Sequence, residues 1–435
     1  MAIDAGTGSV RAVLFDLKGN QIGCSQHEWT HNEDPRFPGS MDFDWKYNWE
    51  LASGCVRNVL AETKIDPAEI AAISTTCMRE GILLYDKDGN EIWACANVDA
   101  RSNDEVAELI RMNPDLELEL YKKSGQSYAL NAIPRILWVK NNMPDIYEKT
   151  AKIGMFNDWL IYKLTGVLAV EPSNGSTTGL LDLQTRTWDT EIAAKCNLRT
   201  DIFPDILECG SISGKVTAKG ASETGLAEGT PVVVGGGDCQ LGTIGVGACK
   251  PGEAAVFGGS FWQYEFNTES GKTDPYGRVR VNCHAVPGVW QYEALAFKPG
   301  LVMRWFRDGF CQEEKRKAKE IGDDPYNLMN QAAEKIPAGC YGMMCCFSDI
   351  MNFINWKHAA PTFTNFELLP EKFNKYTFYR SILENTAMLV KGHIELVKEA
   401  TGNEPDKLIF AGGASVSDLW SQILADVTGK PVVTP

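Results

Sequence analysis

The chain has 435 residues, room for two domains at ~100–200 residues each. Hydrophobic residues make up 44% and charged residues 23%, a balance that excludes disorder for the bulk of the chain. No apolar run approaches the ~20 residues of a membrane helix, Asp4 stands where a signal peptide would be apolar, and a formal net charge of -15 repels nucleic acid and anionic lipid, so neither membrane nor nucleic acid is expected as a partner.

At the N-terminus, Asp4-Ala5-Gly6-Thr7-Gly8-Ser9-Val10-Arg11 reads as a strand ending in a carboxylate, a turn of small residues, and a second strand that carries Arg11. The N–H groups and hydroxyls of such a turn can cradle phosphate oxygens, and Asp4 can hold a hydrated Mg²⁺. A plain hairpin with a convenient glycine accounts for the same residues. There is no G-x-x-x-x-G-K-[ST], which excludes a Walker-type ATPase, and no G-x-G-x-x-G ahead of a helix. Gly19-Asn20 and Gly89-Asn90 each sit in a polar gap between apolar runs and predict two hairpin turns. The second lacks the later ligands and flanking helix of a calcium loop. His27-Glu28-Trp29-Thr30-His31 matches the zinc-protease pattern H-E-x-x-H. That chemistry needs a helix, whereas this segment follows a hairpin turn and is broken by Asn32, Glu33, Asp34 and Pro35, so a surface strand is expected. His284, His358 and His393 form no cluster in sequence, and His393 is expected to be structural.

Trp45, Trp49, Ala52, Val56, Val59 and Leu60 recur at helical spacing. The strand-like Ile73-Ser74-Thr75-Thr76 leads to Arg79-Glu80-Gly81, where an adjacent cation and carboxylate can grip a polyol or form a surface ion pair. Residues 231–238 end an apolar run in three glycines and Asp238, a carboxylate placed either as general base toward a substrate hydroxyl or as cap of the next helix. Two more runs end in small residues, at Gly258-Gly259-Ser260 and at Gly412-Gly413. Four glycine-marked strand ends predict a nucleotide cleft built from several of them. Leu383, Ala387, Val390, Ile394 and Val397 predict a helix. A further helix is expected over 418–428, capped by Ser417 and stopped by Gly429, after which Val432-Val433 opens a strand. Strands alternating with helices predict an α/β fold. The 13 cysteines are scattered, with no C-x-x-C pair, which reads as reduced thiols in a cytoplasmic setting.

In chain order stand Asp4-x-Gly6-Thr7, Asp99-x-Arg101 after Trp93, Asp158-Trp159-Leu160 with Leu164-Thr165-Gly166, Pro172-Ser173-Asn174-Gly175-Ser176, Gly179-Leu180-Leu181-Asp182, Trp188, Gly236-Gly237-Asp238, Gly258-Gly259-Ser260, and Gly412-Gly413 followed by Trp420-Ser421-Gln422-Ile423-Leu424-Ala425-Asp426. In this order and spacing they resemble the FGGY carbohydrate kinases of the actin-like ATPase superfamily. The resemblance implies two α/β domains of ribonuclease H-like type with a cleft that closes on its ligands. The first, 1–245, would carry substrate and base, and the second, 246–435, most of the nucleotide site. It implies ATP and Mg²⁺ as cofactors, with Asp4 toward the metal and Asp238 as base. It puts Met78, Arg79 and Glu80 in the substrate pocket. It puts phosphates between Gly6, Thr7, Gly8, Ser9 and Arg11 on one side and Gly258, Gly259 and Ser260 on the other. Adenosine is expected against Gly412, Gly413 and Ser417, with Gly300 and Arg304 nearby. A phosphocarrier protein is implied as a further partner, although no residue of this chain points to one.

Within the family, Cys77-Met78-Arg79-Glu80-Gly81, the run Trp93 to Arg101 and Met303-Arg304-Trp305-Phe306-Arg307-Asp308 resemble the branch acting on the terminal hydroxyl of linear dihydroxypentanedione, the open form of a quorum-sensing signal. Another pentulose or polyol kinase, or a ligand-binding remnant with little turnover, are the alternatives. Tyr128 does not align with the tyrosine of glycerol kinases, and xylulose kinases have Gln-Met-His where this chain has Cys77-Met78-Arg79. Both departures argue against those substrates. Many relatives have Gly-Thr-Ser where this chain has Gly258-Gly259-Ser260, one hydroxyl fewer. The family pattern continues past Pro435 with a helix over the nucleotide domain, so the chain reads as C-terminally truncated, with weakened or absent ATP turnover expected.

Overall fold

The computed structural model describes residues 1–355 and 360–435, which leaves His358 outside the described residues. Two compact units divide the chain. One is Met1–Gly242 with Ser270–Lys272 and Val281–Trp290, and the other is Thr243–Glu269 with Thr273–Arg280 and Gln291–Pro435. The sequence alone suggests one boundary near 245, but short later segments return to the first unit. There Gln126 Nε2 donates to Val281 O (3.1 Å) and Asn282 Oδ1 (3.0 Å), and Trp290 Nε1 donates to Leu183 O (2.7 Å).

The first unit contains, in chain order, β1 (Ala2–Ala5), β2 (Ser9–Phe15), β3 (Gln21–Glu28), α1 (Trp45–Thr63), β4 (Ile73–Cys77), β5 (Ile82–Tyr85), β6 (Glu91–Cys95), α2 (Ala132–Asn142), β7 (Lys152–Met155), α3 (Phe156–Thr165), β8 (Ile212–Lys215) and β9 (Pro231–Gly237). Helix α4 (Asp238–Gly245) follows directly on β9. The main sheet runs β8-β9-β4-β1-β2-β3. β1, β2 and β3 form an antiparallel meander, and β4 lies parallel to both β1 and β9. Along β2, Val10, Ala12 and Leu14 are buried in alternation, and Ala52, Val56 and Val59 of α1 join them in one core with Phe43, Phe156 and Trp159. A smaller sheet, β6-β5-β7, packs with α2 around a second core. Both predicted hairpins form, at Gly19-Asn20 and Gly89-Asn90. At the second, Asp86 accepts from the N–H groups of Asp88 and Asn90, so its carboxylate closes the turn.

Register decides what meets at the end of this sheet. Asp4 pairs with Thr76 and Ala5 with Cys77 on one side of β4, and Gly236 with Thr76 and Gly237 with Cys77 on the other. The β4–β9 register shifts between Val233 and Gly236. A Cβ on Gly235 would lie 1.6 Å from Thr75 O, so only glycine allows the strands to close at that irregularity.

The second unit contains β10 (Ala254–Gly258), β11 (Trp262–Thr268), β12 (Trp290–Ala296), α5 (Pro299–Phe310), α6 (Pro325–Ala333), α7 (Lys375–Thr401), β13 (Leu408–Ala411), α8 (Asp418–Thr428) and β14 (Val432–Val433). Strands β12-β11-β10-β13-β14 are consecutive neighbours in one sheet. An antiparallel β10–β11 hairpin with β13 parallel to β10 repeats the motif of β1, β2 and β4. α8 starts where Ser417 accepts the Trp420 N–H (3.2 Å) and stops at Gly429 with φ +69°, the cap and stop expected from sequence. No helix among the described residues is long and apolar enough to cross a membrane. None of the 13 cysteines, all of them among the described residues, is in a disulfide.

Gly235→Ala is expected to lower unfolding free energy by about 2 kcal/mol or more, because the added methyl meets backbone rather than a side chain that can turn away. Urea unfolding followed by tryptophan fluorescence measures this, and an unchanged midpoint would show that β4 and β9 tolerate the added methyl.

Candidate functional site

Three strand ends of the first unit carry the candidate chemistry. β1 delivers Asp4 and then the turn 6–9, closed by the Gly6 N–H to Ser9 O bond (2.9 Å). Arg11, across from Asp4 in the β1–β2 ladder, donates from Nε (2.8 Å) and Nη2 (2.7 Å) to Asp4 Oδ2. Arg11 thus faces Asp4, with about half of its side chain open to solvent. Oδ1 of Asp4 lies outside that pair. One carboxylate oxygen beside an N–H-rich turn is the donor set by which Mg²⁺ is held through one carboxylate and substrate phosphates, so these residues fit that ion.

β4 ends at Cys77, and Met78 then donates its N–H to Ala5 O (2.8 Å). The Met78 side chain is 1% exposed inside the apolar core, which corrects its expected place in a substrate pocket. Arg79 is also buried, so the surface ion pair falls away. Its Nε lies 3.6 Å from Asp238 Oδ1 and its Nη2 3.4 Å from Cys239 Sγ. Glu80 has φ +66°, a left-handed backbone that costs energy in any residue but glycine. Its carbonyl is held by Arg135 Nη1, and the same guanidinium binds Asn97 O (2.7 Å) and Asp99 O (3.1 Å). A Cβ on Gly81 would lie 2.4 Å from the Phe156 ring, so the chain after Glu80 rests directly on the aromatic core.

β9 ends in Gly237, where a Cβ would meet Gln240 Oε1 at 2.6 Å and Arg79 Cγ at 3.0 Å. Asp238 is the first residue of α4 and accepts the Cys239 N–H on Oδ1 (2.8 Å). Although 47% of its side chain meets solvent, the protein crowding it pushes the carboxyl up to about 6; Arg79 pulls the other way and Glu80 adds to the push. Behind it, the Ser173 hydroxyl accepts the Gly237 N–H (2.9 Å) and donates to buried Glu171, which also accepts the N–H groups of Ser173 and Asn174. Burial raises Glu171 to about 7. Ser173 and Asn174, part of the family pattern in the sequence, thus support the strand end from behind.

In the second unit a cavity of about 600 Å³ is lined by Gly258, Gly259, Ser260, Gly300, Arg304, Gly413 and Ser417, seven of the residues that the sequence grouped around a nucleotide. Their contact is backbone on backbone. A Cβ on Gly300 would lie 2.0 Å from Gly259 O, and Gly412, at φ +93°, would place one 2.9 Å from Gly258 O. The cavity also takes Met303, Tyr326, Asn330, Tyr379, Val416 and Trp420, which sequence reasoning missed. Asn330 Nδ2 donates to Ser417 Oγ (3.0 Å) while its Oδ1 accepts from Tyr379 OH (2.8 Å), so the polar wall is fixed by side chains far apart in sequence. None of Asp4, Thr7, Arg79 or Asp238 lines this cavity.

Two other expectations resolve simply. β3 is a strand up to Glu28, as expected, so the helix that the H-E-x-x-H chemistry needs does not form there, and among the described residues His27 and His31 join no grouping of metal-ligating side chains. Tyr128 and His393 are buried, the latter with Nε2 accepting the Met351 N–H (3.2 Å) and its pKa lowered to about 4 by burial.

Comparison with known proteins agrees with this architecture. Residues 1–245 match the model of the FGGY family of carbohydrate kinases, N-terminal domain, and residues 267–435 match the C-terminal domain of the same family. The chain is 50% identical over 436 aligned residues to the autoinducer-2 kinase of Yersinia enterocolitica, covering all of this chain and 82% of that protein. The autoinducer-2 kinase of Yersinia pestis gives the same identity and coverage. Among solved structures, the xylulose kinase of Rhodospirillum rubrum superposes with a TM-score of 0.85 at 23% identity, over 99% of this chain and 85% of that one. Plasmodium falciparum glycerol kinase with ADP superposes with a TM-score of 0.85 at 20% identity, over 99% and 85%. At those identities the likeness to solved structures concerns the fold, a two-domain α/β kinase fold, whereas the family models cover most of the chain. The chain belongs to the FGGY family of carbohydrate kinases.

Proposed function

We propose that the chain transfers the γ-phosphoryl group of ATP to the terminal hydroxyl of linear dihydroxypentanedione, the open form of autoinducer-2. The observation that carries this reading is the carboxylate of Asp238, raised to about 6 beside Arg79 at a glycine-opened strand end, in a chain 50% identical to proteins called autoinducer-2 kinases. Residues 1–245 contribute the acceptor side and 246–435 the nucleotide side. Arg79 and Glu80 hydrogen-bond the acceptor's oxygens. Asp238 accepts the proton of the attacking hydroxyl as the new P–O bond forms and the bond to the β-phosphate oxygen breaks, releasing ADP. The N–H groups of turn 6–9 hold phosphate oxygens, and in the second unit the cavity by Gly258, Gly300, Arg304 and Ser417 takes the adenosine. Mg²⁺, when bound, offsets charge on the phosphates, and Asp4 is the residue to hold it. Thirteen free thiols support a reducing cytoplasmic setting.

Asp238→Asn is expected to lower kcat by about 10²–10⁴-fold, with acceptor affinity by calorimetry kept; retained turnover in a coupled ADP-release assay would remove Asp238 from the role of base. Because a base must be ionised, kcat/KM is expected to fall about tenfold per pH unit below about 6 and to level off above it; a profile flat to pH 5 would contradict that assignment. Gly300→Ala is expected to raise KM for ATP by about tenfold or more, with KM for the acceptor unchanged, because its methyl displaces the 258–260 turn. An acceptor panel tests the substrate: preference for xylulose or glycerol over dihydroxypentanedione would overturn it.

A further inference from the structure

The H-E-x-x-H segment continues from a strand rather than forming a helix, and two of its side chains grip the turn after β1. Trp29 Nε1 donates to Gly6 O (3.0 Å) and to Thr7 O (3.2 Å), and the Trp29 N–H donates to Gly8 O (3.1 Å). His31 Nε2 lies 2.7 Å from Thr7 O. A carbonyl only accepts, so Nε2 carries the proton there, and Nδ1 is buried without a partner. Trp29 and His31 are two apart, so in extended chain their side chains share a face. Both rest on Phe43, with ring centroids at 5.4 Å and 6.0 Å, and Phe43 packs against Phe156 with centroids at 4.2 Å. From the other direction Asn97 Nδ2 donates to the Thr7 hydroxyl (3.0 Å).

The peptide geometry gives this clamp a consequence. In a planar trans peptide the N–H points opposite to the C=O of the same unit, and no peptide bond among the described residues is cis. Three successive carbonyls, of Gly6, Thr7 and Gly8, are drawn toward the Trp29–His31 segment. The N–H groups of Thr7, Gly8 and Ser9 are therefore aimed away from it, together. Successive N–H groups turned to one side make an anion-binding concavity. We propose that His31, with Trp29, is a positioning residue for phosphoryl transfer: it holds the carbonyls of the turn back so that three N–H groups face the phosphates. This rests on the reading of turn 6–9 as a phosphate site.

The test compares His31→Ala and His31→Gln with the unaltered chain, the Gln amide being able to donate to Thr7 O again. Steady-state kinetics with ATP and dihydroxypentanedione, titration calorimetry with a non-hydrolysable ATP analogue, and ligand-free thermal midpoints are measured for all three. Expected for His31→Ala is a KM for ATP raised by about tenfold or more, a matching loss of analogue affinity, and a KM for the acceptor within about twofold. His31→Gln recovers most of the loss. The role of His31 is overturned if His31→Ala equals the unaltered chain, if both KM values rise together, or if Gln is no better than Ala at equal thermal midpoints. An unaltered chain that transfers no phosphate to any acceptor overturns the kinase reading itself, a different outcome from an active chain indifferent to residue 31.

Discussion

The parallel pairing of one strand, Ile73–Cys77, with neighbours on both sides is the constraint from which the first unit's chemistry follows. Neighbouring strands lie ~4.8 Å apart, and in parallel pairs their ends face the same way. Asp4, Arg79 with Glu80, and Asp238 each stand within three residues of a paired position, so the ladder alone brings them to one edge. A slip of one residue would turn each strand's side chains to the other face. Register is therefore guarded where it is most easily lost, at Gly235, whose backbone lies so close to Thr75 that no side chain fits between them.

Buried arginines organise the loops beside this sheet edge in an acidic chain. Arg101 pairs with Asp99 (2.7 Å) and Asp42, and its guanidinium lies over Trp138 (4.8 Å) and Trp93 (5.3 Å). Arg135 binds three backbone carbonyls, one of them in the strained Glu80. These cations organise loops rather than neutralise the surface. The net charge of -15 describes the solvated exterior and is silent about an interior edge made of N–H groups and a single buried Arg79 beside Asp238. Crowding by the surrounding protein raises the Asp238 carboxyl to about 6 despite the opposing pull of Arg79, and Glu80 adds to the push, which brings it within reach of proton transfer near neutral pH.

The two units solve a similar problem with a repeated motif. In each, an antiparallel hairpin runs beside a parallel strand, and small residues follow the strand ends. In the first unit the small residues leave room for carboxylates and a turn. In the second, Gly258, Gly300 and Gly412 let three backbone segments touch, and the floor of the cavity is the result.

Much of the fold was legible because it depends on local rules. Period-two burial in Ser9–Phe15, the helical stripe of Trp45–Thr63, the Ser417 cap and the Gly429 stop are set by residues within a few positions of one another. So were the four glycine-marked strand ends and Asp238, which carry a family pattern in their order. What the sequence could not settle was direction and partnership. Met78 faces the core while Arg79 is buried beside Asp238, and Arg11 faces Asp4. His31 holds a carbonyl 24 residues earlier, a contact hidden inside a pattern that spells zinc. Each of these turns on which chain segments lie side by side. The sequence by itself determined the elements, their glycine hinges and the family; only the tertiary structure decided which polar groups meet, because hydrogen bonds and ion pairs act over a few ångströms of space and not along the chain.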